Sequence, residues 1–384
     1  LHVIGAIKHV VIDRDDTLAR MTTGRASSPS AAIPAGHRAP AFIAASIWAA
    51  QIAIGTNGGL REPEAAAPLQ VAASGGDWLV EEGFAEVPAW HPGVLDVIPI
   101  GLRRWRRGWR KAWRKGELRE FARLLRRRHY DLVIDAQGLI KSALPAMLAR
   151  GPRAGLDRAS AREPLSALFQ QRRYRVEREQ HAVERVRQLF AQALAYPLPE
   201  DPPDYGLRFS HAHDAGQRRL VLLHGTTWPS KHWPESSWAE LAQLAAGEGF
   251  DVILPWGDPD DRLRAERIIG AAGVGELLPR QGLSDLARTL AAASGVVGVD
   301  SGLAHLAAAV GTPAVTLYGP TRTELTGALG PQQLNLAAEF ECAPCMKRVC
   351  DFRGPAAVEP ACFGTLPAPL VFSRLLAQME ARAI

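Results

Sequence analysis

A chain of 384 residues, 47% hydrophobic and 22% charged, holds enough apolar mass for two or three packed cores, which excludes a disordered or fibrous protein. Its net charge of +5 hides an asymmetry: Arg103 to Arg128 carries 13 Lys or Arg against Glu117 and Glu120, so that stretch is +11 and the remainder sums to −6. No run offers the roughly 20 apolar residues of a membrane span and no secretory signal opens the chain, so the expectation is a cytoplasmic protein with one basic patch for an anionic partner.

Residues 1–72 differ in pattern from the rest of the chain. "HVVIDRDDTLARM" predicts a strand running into an acidic loop, "SSPSAAIPAGHRAP" a turn-rich link, and "IWAAQIAIGTNGGL" a helix or strand ending in a polar loop. From Asp77 the alternation is regular. "DWLVEE" and "VLDVIPI" predict strands, and "RRWRRGWRKAWRK" puts Trp105, Trp109 and Trp113 at i, i+4 and i+8, one face of a helix. Glu117 to Leu125 predicts an amphipathic helix with Leu118, Phe121 and Leu125 on one side. "YDLVIDAQG" comes next as a strand ending in a glycine loop, then "KSALPAMLA" and "HAVERVRQLFAQALA" as helices, then the proline-rich linker "YPLPEDPPDYG". The second half repeats the pattern: "RRLVLLHG", "DVILPWG", "GVVGVDSG" and "PAVTLYG" are strands. Helices lie between them, among them "ESSWAELAQLAAGEG", with Trp238, Leu241 and Leu244 on one face. Such alternation predicts an α/β protein with parallel, helix-covered sheets. Two Rossmann-like domains facing a cleft are expected, residues 73–200 and 206–384, after an atypical N-terminal segment, 1–72.

Several strands of the second half end in polar clusters. "LLHGTTWPSKHWP" carries Thr226, Thr227 and Lys231, "LPWGDPDD" carries Asp258 and Asp261, "VDSGLAH" carries Asp300, Ser301, Gly302 and His305, and "LYGPT" ends at Thr321. Parallel strands bring these ends to one edge, where ligands of open α/β sheets bind. Ser301 can cap the following helix, whose free amides favour a phosphate, and Lys231 adds a positive charge suited to a diphosphate. Asp300 and Ser301 as plain helix caps is the competing reading. Convergence from separate strands weighs toward a ligand.

The stretches "HGTTWPSKHWPESSWAEL", "LPWG", "VDSGLAHLAAAVGTPAVTLYGPT", "DWLVEEGFAEVPAWHP", "RRWRR", "YDLVIDAQGLIKSAL" and "AREPLSALF" together resemble the bacterial lipopolysaccharide heptosyltransferase I family, within glycosyltransferase family 9, from about Asp77 onward. The resemblance implies a GT-B fold with the donor in the C-terminal domain. It implies inverting transfer of L-glycero-D-manno-heptose from ADP-heptose to Kdo of Kdo-lipid A, with no cofactor required. By position, Thr226, Thr227 and Lys231 would lie around the donor diphosphate and Asp261 at the adenosine ribose. Asp300, Ser301, Gly302 and His305 would face sugar and phosphate, and Gln281 stands where some members place a methionine beside the adenine. Arg103, Arg104 and Lys141 fall on the acceptor side.

Three segments stand outside that pattern. Nothing before Asp77 matches the family's opening strand and glycine-rich loop, whose aspartate removes the acceptor proton. Instead "VVIDRDDTL", with Asp13 and Asp15, and "IAIGTNGGL", with Thr56, resemble the start of a haloacid-dehalogenase-type heptose bisphosphate phosphatase. A catalytically impaired ADP-sugar-binding protein and a truncated phosphatase fusion are therefore alternatives to an active transferase. The basic Arg103–Arg128 segment with its tryptophans suits the surface of an anionic membrane, which would place the protein peripherally on the inner face of the cytoplasmic membrane. A solvated face with the indoles packed inward is the alternative. Nucleic acid is disfavoured, since the rest of the chain is acidic and carries no nucleic-acid module. Finally, Cys342, Cys345, Cys350 and Cys362 cluster after a C-x-x-C start, which admits a structural zinc or a cysteine loop without metal.

Overall fold

The computed structural model describes residues 50–54, 76–201, 203–207, 209 and 218–381. The chain divides into two compact units that meet at Leu207 and Arg208. Asp13, Asp15, Asp16 and Thr56 lie outside the described residues.

The N-terminal unit holds strands β1 (Ala50–Ile54), β2 (Gly76–Glu81), β3 (Val94–Ile100), β4 (Val133–Asp135), β5 (Arg153–Leu156) and β6 (Arg172–Tyr174), paired in the order β3-β2-β1-β4-β5-β6. Its helices are α1 (Glu86–Ala89), α2 (Leu102–Arg114), α3 (Glu117–Leu125), α4 (Ile140–Ala146) and α5 (Ala182–Leu194). All pairings are parallel except those of β1, which runs antiparallel to both β2 and β4. This departs from the fully parallel sheet expected. An antiparallel neighbour needs no crossover helix, and the sequence between Ile54 and Gly76 is rich in glycine and proline rather than helix-patterned. In this register Ala50 pairs with Val80 while Ile54 faces Asp77 and Val133, so β1 starts at the edge where its neighbours end.

In the C-terminal unit β7 (Arg219–Leu223), β8 (Asp251–Leu254), β9 (Glu276–Leu277), β10 (Gly295–Val299), β11 (Ala314–Tyr318) and β12 (Gln333–Ala337) form an all-parallel sheet in the order β12-β11-β10-β7-β8-β9. Helices α6 (Glu235–Gly247), α7 (Pro259–Ala272), α8 (Leu283–Ala291), α9 (Gly302–Ala309), α10 (Thr323–Thr326) and α11 (Ala368–Glu380) complete it. The strand order reverses between β7 and β10, which makes that pair the topological switch point of a doubly wound sheet.

Local sequence explains these elements. β10 and β11 are buried along their whole length, as near-continuous apolar runs in a helix-covered parallel sheet should be. Helix α6 buries Trp238, Leu241, Ala242 and Ala245, a 3.6-residue stripe that leaves Leu244 at its margin. Asp258 caps α7 by accepting the Asp261 amide at 2.9 Å, Pro259 opens the first turn, and Gly273 closes the helix at φ +68°. Trp233 and Trp238 meet edge to face at 4.9 Å in the core beneath the sheet, both fully buried. Each such side chain contributes roughly 3 kcal/mol.

Candidate functional site

The switch point gathers the strand-end residues around one buried carboxylate. Asp300, directly after β10, is 4% exposed, and its Oδ2 accepts from Lys231 Nζ at 2.8 Å and from Thr321 Oγ1 at 2.5 Å. Burial pushes this carboxyl upward, but Lys231, Thr321 and the nearby His305 pull it further the other way, so Asp300 titrates below the usual carboxylate range. The Asp300 carboxylate thus holds the lysine in place. Lys231 also lies 4.7 Å over the Trp228 ring, and two of its three N–H directions are not used by Asp300. Thr226, after β7, donates to the Asp300 carbonyl at 3.4 Å and so links the loops on the two sides of the reversal.

Ser301 is the N-cap residue of α9, but its side chain makes no cap bond. Its hydroxyl is buried without a hydrogen-bond partner among the described residues. The expected cap is thus corrected: the backbone there is extended (φ −150°, ψ 166°), as at a capped helix start, but the hydroxyl accepts no amide. A buried hydroxyl left unsatisfied costs about 1–3 kcal/mol. Beside helix amides and a lysine, that oxygen suits a phosphate or sugar group. Gly302 opens α9, and His305 lies one turn along it on the same face as Ser301.

Asp261 joins the same edge from α7. A Cβ added to Gly225 would meet its Oδ1 at 3.0 Å, so the absence of a side chain at Gly225 lets the carboxylate stand against the turn before Thr226. Thr227 is half-buried beside it. Gln281 exchanges hydrogen bonds with the Thr289 hydroxyl at 3.0 and 3.3 Å, so its amide is committed inside the unit. Ser230 is a contributor that no local sequence signal singles out. Thr321 sits in the strand-end motif "LYGPT", yet its contact with Asp300 crosses 21 residues.

In the N-terminal unit, Arg104 is already engaged. Its guanidinium takes both oxygens of Glu82 at 3.0 Å and also pairs with Glu117, which ties α2 to its neighbours. Arg103 donates its amide to Glu81 at 3.0 Å and lays its guanidinium 5.6 Å over Phe84. Lys141 stands half-buried in the first turn of α4. A cationic group follows in the chain, beginning with Arg162 of the "AREPLSALF" stretch. Arg162 is pulled down from its ordinary value by burial and by Arg178, and Arg185 by burial, Arg162 and Arg178. Arg185 spends donors on the Ser160 and Glu177 carbonyls, at 2.7 and 3.1 Å, and Arg162 forms no ion pair among the described residues.

The tryptophan stripe is split. Helix α2 breaks at Gly108 (φ −152°, ψ 49°). Before the break Trp105 packs on Phe121 at 5.4 Å and donates to Glu117 at 2.9 Å; beyond it Trp109 and Trp113 are 59% and 67% exposed. One continuous face was expected, but a rotation at a glycine separates an inward indole from two outward ones.

The four cysteines lie in the segment after β12. Among the described residues no three Cys, His, Asp or Glu side chains are grouped so as to hold an ion. All four thiols are free and lie at different depths, Cys342 exposed and Cys362 buried. Burial, and after it the other thiols, pushes Cys362 up to about 12.

Comparison with known proteins gives a consistent likeness. The family model for glycosyltransferase family 9 (heptosyltransferase) matches residues 118–355. Lipopolysaccharide heptosyltransferase 1 of Pseudomonas aeruginosa is 50% identical over 309 residues, covering 79% of this chain and 87% of that protein. The Escherichia coli K12 protein of the same name is 46% identical over 270 residues, 69% and 84% of the two chains. Among solved structures, E. coli heptosyltransferase WaaC with ADP superposes with a TM-score of 0.65 at 44% identity, covering 68% of this chain and 83% of that one. The same enzyme with ADP-2-deoxy-2-fluoro heptose gives 0.65 at 39%, covering 78% and 89%.

Proposed function

The chain belongs to glycosyltransferase family 9, the heptosyltransferases, and from that premise we propose that it transfers L-glycero-D-manno-heptose from ADP-heptose to Kdo of Kdo-lipid A in lipopolysaccharide inner-core synthesis. Its fold is the GT-B type of those relatives. The observation that carries the reading is the buried Lys231–Asp300–Thr321 cluster at the β7/β10 reversal, beside the unsatisfied Ser301 hydroxyl.

In this reading the donor diphosphate takes the α9 amides, Ser301 and Lys231, with Thr226 and Thr227 lining the same edge. Asp261 takes the adenosine ribose, and Gly302 and His305 face the sugar. Gln281, bound to Thr289, is not assigned to the adenine. Lys231 and the helix amides stabilise charge as it develops on the departing ADP, so the protein's own cations carry that task. Direct displacement breaks the anomeric C–O bond to phosphate and forms the new glycosidic bond as the acceptor hydroxyl gives up its proton to a base. That base is unassigned, because the family's aspartate loop has no match here. The antiparallel β1 bears on this: its end at Ile54 lies at the edge opposite to the carboxyl ends of β2 and β4. The same observation supports a second reading, a protein that binds ADP-sugar without transferring it.

On the acceptor side, Arg103, Lys141 and the Arg162–Arg178–Arg185 group supply positive charge for the phosphates and carboxylates of the lipid. Trp109 and Trp113, exposed among the arginines and lysines of α2, rest on the anionic inner face of the cytoplasmic membrane. The exposed Leu144, Met147 and Leu148 at the end of α4, and Leu165 and Leu168 in the adjoining 3₁₀ turn Pro164–Phe169, extend that contact. No helix among the described residues is long and apolar enough to cross a membrane.

The test is ADP release from ADP-heptose with and without Kdo-lipid A. Acceptor-dependent release is expected, together with a loss of ADP binding of at least a hundredfold in Lys231→Ala, about 3 kcal/mol for an ion aimed at phosphate. ADP bound but never released on adding acceptor would favour the second reading. Magnesium-dependent phosphate release from a heptose phosphate would instead indicate the phosphatase remnant.

A further inference from the structure

The segment after β12 that bears the four cysteines is fastened to both loops that close on Asp300. Lys231 ends the 3₁₀ turn Pro229–Lys231, and the residue beside it, Ser230, is 2% exposed. Ser230 donates its amide to the Arg348 carbonyl at 3.1 Å and its hydroxyl to the Lys347 carbonyl at 2.6 Å. On the other side, the Met346 amide donates to the Pro320 carbonyl at 2.7 Å, next to Thr321. Met346 holds φ +55°, a left-handed conformation rare for a side-chain-bearing residue and kept only where surrounding contacts impose it. Behind these bonds, a Cβ on Gly319 would meet Cys362 Sγ at 3.0 Å and Phe363 at 2.9 Å, so the far end of the segment is packed directly under the Gly319–Thr321 turn. Three consecutive residues, Met346 to Arg348, thus bridge the lysine loop to the threonine loop, with Cys345 and Cys350 flanking them.

We propose that residues 342–362 are a strap that sets the geometry of the nucleotide-diphosphate site, with Ser230 as the positioning residue through which it holds Lys231 on Asp300. This rests on the donor reading of that site. The Lys231 and His232 amides close the turn locally on the Trp228 and Pro229 carbonyls, and Ser230 is the point at which an element more than a hundred residues distant in sequence holds it. Coupling of this kind is reciprocal. If the strap orders Lys231 for a diphosphate, a bound diphosphate must steady the strap. The half-buried Cys345 and Cys350 report that steadying, because their alkylation needs local opening, whereas the exposed Cys342 reacts without it.

Two measurements on the full chain test this, with ADP as the probe. Calorimetric titration of Ser230→Ala is expected to show ADP binding weakened about 5- to 10-fold, the loss of one buried hydrogen bond. KM for the sugar nucleotide should rise in parallel and kcat at saturating donor stay within about twofold. Ser230→Thr, which keeps the hydroxyl, should recover most of the affinity. In the wild-type chain, which needs no variant to fold, saturating ADP should slow iodoacetamide labelling of Cys345 and Cys350 several-fold and leave Cys342 unchanged. A wild-type protein that binds ADP while Ser230→Ala binds it equally well, or while labelling of Cys345 and Cys350 ignores ADP, overturns the strap alone. Failure of the wild-type chain to bind ADP overturns the donor reading and the strap with it.

Discussion

Two buried aspartates of similar depth behave in opposite ways. Asp300 has an ammonium and a hydroxyl as partners and is held below its ordinary value. Its folded form therefore stabilises the protein above the unfolded value near 3.8, and that contribution fades as pH falls through the lower folded value. Asp135, at the end of β4, is pushed up to about 6 by burial, against opposing hydrogen bonds from Ser142 and the Gln137 and Gly138 amides. With the folded value above the unfolded one, the native state binds more protons between pH 4 and 6, so this group's contribution is greatest at low pH and is lost as pH rises through 6. The difference is worth about 3 kcal/mol at most. Asp135→Asn keeps an acceptor for the Gln137 amide, which Asp135 now binds at 3.0 Å, and removes the titration. Urea unfolding should show the variant gaining on the wild type between pH 4.5 and 7. Parallel pH curves for the two proteins would refute the assignment. "VIDAQG" marks the carboxylate in the sequence, but its solvation depends on Gln170 and the sheet around it, far along the chain.

Helix α2 shows how one residue alters an element's role. Its composition announces a cationic helix with indoles every fourth residue, and all of that is legible in the sequence. Spacing alone assumes an unbroken 3.6-residue period, and the chain leaves helical angles at Gly108 (φ −152°, ψ 49°). The consequence divides three chemically identical side chains. Trp105→Ala should cost roughly 2–3 kcal/mol through lost packing on Phe121. Replacing Trp109 and Trp113 together by Ala should change stability by less than about 1 kcal/mol, since exposed positions carry little of it. The double variant should nonetheless reduce co-sedimentation with phosphatidylglycerol-containing vesicles several-fold. Unchanged vesicle binding would leave the two indoles as solvated surface.

Across the whole molecule, the residues proposed for the donor site all belong to the C-terminal unit, whereas the arginine group and the split helix belong to the N-terminal one. A ligand that binds only the native form adds RT ln(1 + [L]/Kd), about 2.7 kcal/mol at a hundredfold Kd. That stabilisation should fall on the unit that holds the site. Hydrogen exchange with saturating ADP is expected to slow most at the ends of β7, β10 and β11 and in the first turn of α9. Protection greatest in β2 to β6 instead would move the nucleotide to the other unit.

The sequence alone determined the alternation of strands and helices, the family resemblance and the identity of the strand-end polar residues. These come from local periodicity and from side chains whose chemistry is visible one at a time. The tertiary structure alone decided which of those residues meet. It put Thr321 on Asp300, left the Ser301 hydroxyl without its expected cap, and committed Arg104 to Glu82 and Glu117. It also turned β1 against its neighbours. The Thr321 and Arg104 contacts join groups 13 to 22 residues apart, and no pattern in a short window carries that information.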